Sequence, residues 1–338
     1  MIIVFGAGGF IGTYLVDRLA TDGLDVVASD IVDSAKDHYK KNGIRFTKLD
    51  ITSPPEFDKL PVEGVESVVD LACLQPANVS KMKYSPLEYM NVNVIGTLNV
   101  LEYCRKAGIK KVIYASSHRQ MEGLWNQGVP LREDAGRSLK YTGEFAMYSI
   151  SQAAAEDCVM HYSRQYGMQG IIFRLPPVYG YGPHTEIFKH GEPIKTGFQI
   201  FMENAESGKP VELWGNVEKG RDIIYVKDVV LAFVLALKNK EASGVYNIAS
   251  GRYLTLRQEA EEIVRAFSPS SQPSQIVLRP EKPNSVESFV YDISKARQDL
   301  GWAPQYTFAQ MLQDYKKEKQ SGRFKFLVEK RRHMFHEL

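Results

Sequence analysis

The sequence predicts an α/β protein built on a doubly wound parallel sheet, with a smaller C-terminal lobe. Two observations carry this. Apolar runs and helix-patterned segments alternate over about the first half of the chain, the pattern of βαβ units with right-handed crossovers. The strand-like runs are continuously apolar rather than alternating, as expected where helices cover both faces of a sheet. At 338 residues the chain can bury a large core and divide into two lobes.

The first element is Met1 to Phe5, an unbroken apolar run read as a buried strand. Gly6, Gly9 and Gly12 follow at a spacing of three and lead into a segment where Ile11, Leu15 and Leu19 mark one helix face. Strand, glycine turn and helix together form a phosphate cradle: the backbone comes close to a pyrophosphate, and the helix N-terminus offers N–H groups and positive partial charge. A second strand, Leu24 to Ser29, ends at Asp30. A carboxylate there accepts hydrogen bonds from both hydroxyls of an adenosine ribose and repels a 2′-phosphate, which favours NAD over NADP.

Ile44 to Asp50 reads as a third strand, with Asp50 and Ile51 placed to flank an adenine ring. Val65 to Ala72 is a fourth, and its small residues Ala72 and Cys73 allow close approach of a cofactor. Pro86 to Ala107 is helical; Lys111 to Ala115 is a fifth strand ending in Ser116 and Ser117. A loop from His118 to Phe145 precedes a helix over 146–166, and Gly170 to Arg174 is a sixth strand. Ligands of such sheets sit at the carboxyl ends of the strands, where Gly6, Asp30, Cys73 and Ser117 would gather. Beyond Arg174 the chain turns rich in Gly, Pro and Lys, which marks the start of the smaller lobe. The expected division is 1–174 with 222–250 for the dinucleotide-binding domain, and 175–221 with 251–338 for a partly interleaved substrate lobe.

Composition excludes several classes. With 44% hydrophobic and 24% charged residues and a formal net charge of +2, the chain is not built for nucleic acid. No apolar run approaches a membrane span, and the first strand begins at Met1, leaving no room for a signal peptide. Cys73, Cys104 and Cys158 have neither metal-site nor disulfide spacing and read as small buried hydrophobes in a reducing cytoplasm, so no metal is expected. The basic, aromatic-interleaved segment from Lys316, with Phe324, Phe326, Leu327, Met334 and Phe335, reads as a helix packed on the protein body.

In order along the chain these motifs resemble the extended short-chain dehydrogenase/reductases, in particular the NAD-dependent epimerases and dehydratases that act on nucleotide sugars. The resemblance rests on the glycine turn, Asp30, Asp50-Ile51, Asn93 to Glu102, Ala115-Ser116-Ser117, Tyr148 to Ser151, and Arg174 to Gly180. It continues through Arg221 to Val229, Val245 to Gly251, Asp292 with Ala296, and Gly301 to Pro304. It implies a Rossmann-like fold, an NAD cofactor, a nucleotide-diphosphate sugar substrate, and a homodimer formed through helices near 87–106 and 146–166. It also extends the cofactor site to Phe10, Ile11, Leu71, Asn93, Ala115 and Pro177.

The implied chemistry is hydride transfer. Tyr148 stands at the position of the tyrosine that takes a proton from a sugar hydroxyl, and Ser117 at that of the residue hydrogen-bonding the same oxygen. One position breaks the pattern: four residues after the tyrosine the family carries lysine, and this chain carries Gln152. The spacing puts both side chains on one helix face. Glutamine can hold a nicotinamide ribose and cannot lower the tyrosine pKa by charge. A free tyrosine titrates near 10, so about one in a thousand is ionised at pH 7. Unless another charge compensates, slow or absent conventional oxidation is expected. Three explanations stay open: a substitution made to trap a complex, a natural residue in an enzyme with another proton acceptor, or a protein turned into a cofactor sensor or scaffold.

The family's dehydratases follow the serine with an Asp-Glu pair; here His118 and Arg119 stand there, which argues against a standard dehydratase. His118 is an additional acid/base candidate or, with Arg119, binds a substrate carboxylate or phosphate. Glu122 fits poorly the glutamate of related decarboxylases. Ser116 joins the expected substrate contacts, as does Arg221, whose guanidinium suits a diphosphate; Arg279 adds a second such contact. Trp214 belongs either to the cradle of the nucleotide base or to the core. Pro177 replaces an asparagine found in many relatives, so the nucleotide is not specified. The readings are an epimerase, a sugar dehydrogenase of the same group, or a silent NAD-binding regulator.

Overall fold

The computed structural model describes residues 1–78, 85–183, 185–189 and 192–329. Six strands, β1 (Ile2–Phe5), β2 (Val26–Asp30), β3 (Arg45–Lys48), β4 (Ser67–Asp70), β5 (Lys111–Ser117) and β6 (Gln169–Leu175), join the strand Gly244–Asn247 in one sheet. Its order is β3-β2-β1-β4-β5-β6 with Gly244–Asn247 at the far edge, and every pairing is parallel. This is the Rossmann-like α/β fold the sequence predicts. The order reverses at β1, so the glycine turn sits at the switch point where such sheets bind ligands.

Both faces of the sheet are covered. On β1, Ile2 and Val4 join one hydrophobic cluster while Ile3 and Phe5 join the other. The first face carries α1 (Phe10–Thr21) and the helix Val226–Lys238; the second carries α4 (Thr97–Lys106) and α5 (Ala146–Tyr166). The short helix α2 (Lys36–Lys41) leads to β3, and its Tyr39 is fully buried. The predicted helix of 86–107 is three helical segments in succession: α3 (Pro86–Met90), a π-helical turn (Asn91–Gly96) and α4. The π turn coincides with Asn93, and such bulges cluster at functional sites. The predicted bounds of α5 match, and Gly167, left-handed at φ 65°, ends it.

Outside the main sheet the strand Val211–Trp214 pairs in parallel with Ile276–Arg279, backed by the helix Leu256–Phe267. Of the C-terminal segment, Phe324 and Leu327 are buried, with the Phe324 ring 4.3 Å from that of Tyr14 on α1, so the described part packs on the body as expected. Met334 and Phe335 lie outside the described residues.

Candidate active site

The cofactor half is built almost wholly by backbone. Gly6 sits at φ 72°, and a Cβ there would lie 2.6 Å from the carbonyl carbon of Leu71. A Cβ on Gly12 would lie 2.2 Å from the Gly6 oxygen, so the first turn of α1 can lie on the loop only without a side chain. Thr13 Oγ donates to the carbonyls of Ala7 (3.2 Å) and Gly9 (2.8 Å), and Tyr39 Oη donates to Ala7 (2.6 Å). No side chain caps α1, which leaves its N-terminal end open to an anion. The turn thus fits a pyrophosphate. Phe10 packs inward on Gly180 and Gly182 rather than toward the turn's mouth, while Ile11 is half-buried beside the core.

Asp30 ends β2 with Oδ2 accepting the Gly8 N–H at 2.8 Å and Oδ1 accepting the Val32 N–H at 3.0 Å. The carboxylate is therefore locked to the glycine turn. Sequence reasoning missed Gly8, although it lies inside the same glycine run; a Cβ there would press on Asp30 at 3.2 Å. Asp50 turns back on itself, accepting from the backbone and the hydroxyl of Thr52, both at 2.8 Å. Ile51 is buried beneath Gly96, where a Cβ would meet its Cδ1 at 2.5 Å, so its side chain belongs to the core rather than to an adenine slot.

Asn93 also differs from expectation. Its amide is consumed by the cofactor loop and by α5: Oδ1 accepts from Leu74 N (2.7 Å), and Nδ2 donates to Leu74 O (3.0 Å) and Ser151 Oγ (2.9 Å). It positions the 71–74 loop instead of reaching a ligand. Leu71 is tied to β1 by its N–H on Phe5 O at 3.1 Å. Ala72 and Cys73 follow, half-buried, and Cys73 lies beside Tyr148 rather than in the core.

The catalytic corner joins the end of β5 to the first turn of α5. Tyr148 is half-buried, and its hydroxyl lies near the Ser117 hydroxyl and the Cys73 sulfur. Burial, and then the neighbouring Cys73, push the Tyr148 phenol above the ordinary tyrosine value, while Ser117 and the Arg119 charge pull the other way. Strand alternation sends the neighbouring Ser116 to the opposite side. Ser116 Oγ accepts from Gln120 Nε2 at 3.3 Å. Ala115, half-buried, precedes them on β5.

Behind Ser116 lies a buried ionic group absent from the sequence expectations. Glu156 of α5 pairs with Arg174 of β6 at 2.9 Å and with Arg137 at 3.1 Å, and it accepts from Gln120. Gln152 lies one turn past Tyr148 and is 1% exposed. Its Oε1 accepts from Tyr114 Oη at 3.0 Å, and its Nε2 has no hydrogen-bond partner among the described residues. A buried, unanswered N–H donor one turn past Tyr148 fits a ligand hydroxyl.

His118 is enclosed by Trp125, Phe289 and Tyr291, with ring centroids 5.0, 4.9 and 5.8 Å away. Trp125 Nε1 donates to Tyr291 Oη at 3.0 Å, and Tyr291 Oη shares a hydrogen bond with His118 Nδ1 at 2.9 Å. Burial, with Arg119 and Arg221 nearby, holds the His118 pKa well below the usual value, so the imidazole is neutral. Arg221 donates to Tyr179 Oη at 2.8 Å. Trp214 is 45% exposed and not core; Lys282 Nζ sits 4.6 Å from its ring centre. Arg279, its register partner, is held by Glu212 at 3.2 Å, in this strand pair rather than at the His118 corner. Pro177 is half-buried, and its carbonyl accepts from Ile224 N at 3.1 Å. No group of three or more potential metal ligands occurs among the described residues.

These features have counterparts elsewhere. The UDP-glucose 4-epimerase of Mycolicibacterium smegmatis is 29% identical over 313 residues, covering 91% of this chain and 95% of that protein. UDP-glucuronic acid decarboxylase 6 of Arabidopsis thaliana is 29% identical over 317 residues, covering 90% and 84%. Among solved structures, UDP-glucose 4-epimerase of Thermotoga maritima with UDP-glucose superposes with a TM-score of 0.77 at 26% identity, covering 95% of this chain and 98% of that one. The Thermus thermophilus UDP-glucose 4-epimerase complexed with NAD gives 0.72 at 26% identity, covering 94% and 98%. The profile of the NAD dependent epimerase/dehydratase family matches residues 2–249, and the chain belongs to that family.

Proposed function

We propose that this protein is an NAD-dependent nucleotide-sugar epimerase, with Tyr148 as the proton acceptor and Gln152 at the position of the family's lysine. The observation that carries this is the nearness of the Tyr148 hydroxyl to Ser117 at the carboxyl edge of the sheet. NAD is the cofactor of the family, and the side-chain-free contacts of Gly6 and Gly12, with Asp30 locked beside them, fit it. When bound, NAD supplies the hydride acceptor that later returns the hydride to the other face of the sugar.

The chain supplies the rest. Tyr148 takes the hydroxyl proton as the carbon gives up hydride, holds it on Oη, and returns it when the carbonyl is reduced. Ser117 hydrogen-bonds the same oxygen throughout. Gln152 Nε2 donates to the nicotinamide ribose, which answers its missing partner. Asp30 accepts from the adenosine ribose. His118 stays neutral, and Arg221 binds the diphosphate. Glu122 is held by Arg119 and Lys140, so a decarboxylase role for it gains no support.

Substrates of the relatives named above are UDP-sugars, and the same class is proposed here. A homodimer through α3–α4 and α5 fits the exposure of Leu87 (73%) and Ile95 (46%) on the first of these. A cytoplasmic location fits three free thiols. No helix among the described residues is long and apolar enough to cross a membrane.

The test is a panel of UDP- and GDP-sugars with NAD-loaded protein, read for epimer and for NADH. Epimer without net NADH is expected. Net NADH release would make the protein a dehydrogenase; NAD binding without turnover, persisting in Gln152→Lys, would make it a regulator.

A further inference from the structure

We propose that Arg119 supplies the positive charge that favours the ionised form of Tyr148, in place of the lysine missing from α5; this rests on Tyr148 being the proton acceptor. Arg119 bridges both sides of the catalytic corner. Its backbone N–H donates to Ser117 Oγ at 3.2 Å, which occupies one lone pair and leaves the hydroxyl proton for the tyrosine oxygen. Its guanidinium carbon lies 3.3 Å from the ring centre of Phe145, the residue just before α5 and three positions before Tyr148. The Trp125 ring centre is 5.5 Å away. The charge thus lies against aromatic rings, with the side chain only 24% exposed, where screening is weak.

Glu122 does not cancel this charge. Its Oε2 meets Arg119 Nη1 at 3.0 Å, but its Oε1 meets Lys140 Nζ, also at 3.0 Å. One carboxylate shared by two cations leaves one net positive charge. Among the described residues, the groups closest to Tyr148 carry none at neutral pH, and the Asp70 carboxyl, raised to about 7, lies behind Cys73. From the loop after β4, the Cys73 thiol is pushed up to about 12 by burial; from α3 and β5, Tyr89, Tyr114 and Ser117 are hydroxyls; His118 is neutral. A guanidinium also cannot lose its proton, so the effect persists across the working pH range.

The experiment is a pH titration of the NAD-loaded full chain by NMR of Cζ-labelled tyrosine, with the Tyr148 signal assigned through Tyr148→Phe. Arg119→Gln is expected to raise the Tyr148 midpoint by roughly one to two pH units, so that the ionised fraction at neutral pH falls roughly ten- to hundredfold. Arg119→Lys keeps the midpoint near that of the unsubstituted chain. Glu122→Gln, which removes the shared carboxylate at a partly exposed site, lowers it. An unchanged midpoint in Arg119→Gln, or a rise in Arg119→Lys equal to that in Arg119→Gln, overturns the proposal; so does a midpoint that fails to fall in Glu122→Gln. The titration needs no sugar, so it decides the role of Arg119 even if no epimer is ever formed. In an active protein the rising limb of rate against pH shifts in the same directions.

Discussion

The glycine turn and the catalytic corner lie along one edge of the same sheet, yet they are made in different ways. The turn is a steric object. Gly6 and Gly12 are required by backbone contacts of 2.6 and 2.2 Å that any Cβ would violate, and Asp30 is clamped to the turn by the Gly8 N–H. The corner is an electrostatic object. Ser117, Tyr148, Cys73, Arg119 and Gln152 come from separate segments, and each can change while the fold stays the same. Sterics leave little freedom, whereas charge can be relocated, and this chain lacks the expected lysine only at the corner.

Substitutions should therefore separate the two regions. The largest effect belongs to the corner: Tyr148→Phe is expected to lower turnover by about 10²–10⁴-fold with NAD affinity unchanged, as measured by steady-state rates and calorimetry. The turn answers in the opposite sense. Gly12→Val drives a side chain into the Gly6 carbonyl and Ala7, and weakens NAD binding by roughly a hundredfold, about 3 kcal/mol, in the same calorimetric titration. Asp30→Asn is milder: about a tenfold loss of NAD affinity with improved tolerance of NADP. Equal losses of turnover and NAD affinity in all three variants would erase the distinction.

Asp70 joins the regions. It ends β4 and holds the Ala72 N–H (3.1 Å) and Thr97 Oγ (3.3 Å) beneath the loop that meets both Gly6 and Tyr148. Burial raises its pKa from 3.8 to about 7. A raised carboxyl stabilises the fold while protonated. That contribution is complete below about pH 3.8 and is lost as pH rises to about 7. Asp70→Asn should flatten this fall, read as a smaller decline of Tm between those pH values than in the unsubstituted chain; an unchanged slope would show that Asp70 is not the group responsible.

Legibility in the sequence followed the same division. The strands, α5 and the glycine turn are local patterns of apolar period and of glycine, and they fold where they are read. Asp30 was visible because it lies one βαβ step from the turn. What was illegible depends on distant partners. The cage around His118 comes from Phe289 and Tyr291, far along the chain, with no motif to announce it. Asn93 looked like a ligand contact because nothing local shows that Leu74 and Ser151 exhaust its amide. Ser116 looked equivalent to Ser117 until strand alternation set it against Gln120. Arg174, read only as part of a family motif, is the buried partner of Glu156.

The most direct measurement is epimerisation in D₂O by NAD-loaded protein across the sugar-nucleotide panel. Hydride that leaves and returns without meeting solvent predicts an epimer with no deuterium on carbon. Deuterium at the inverted carbon, or no epimer from any sugar of the panel, would contradict transient oxidation through Tyr148.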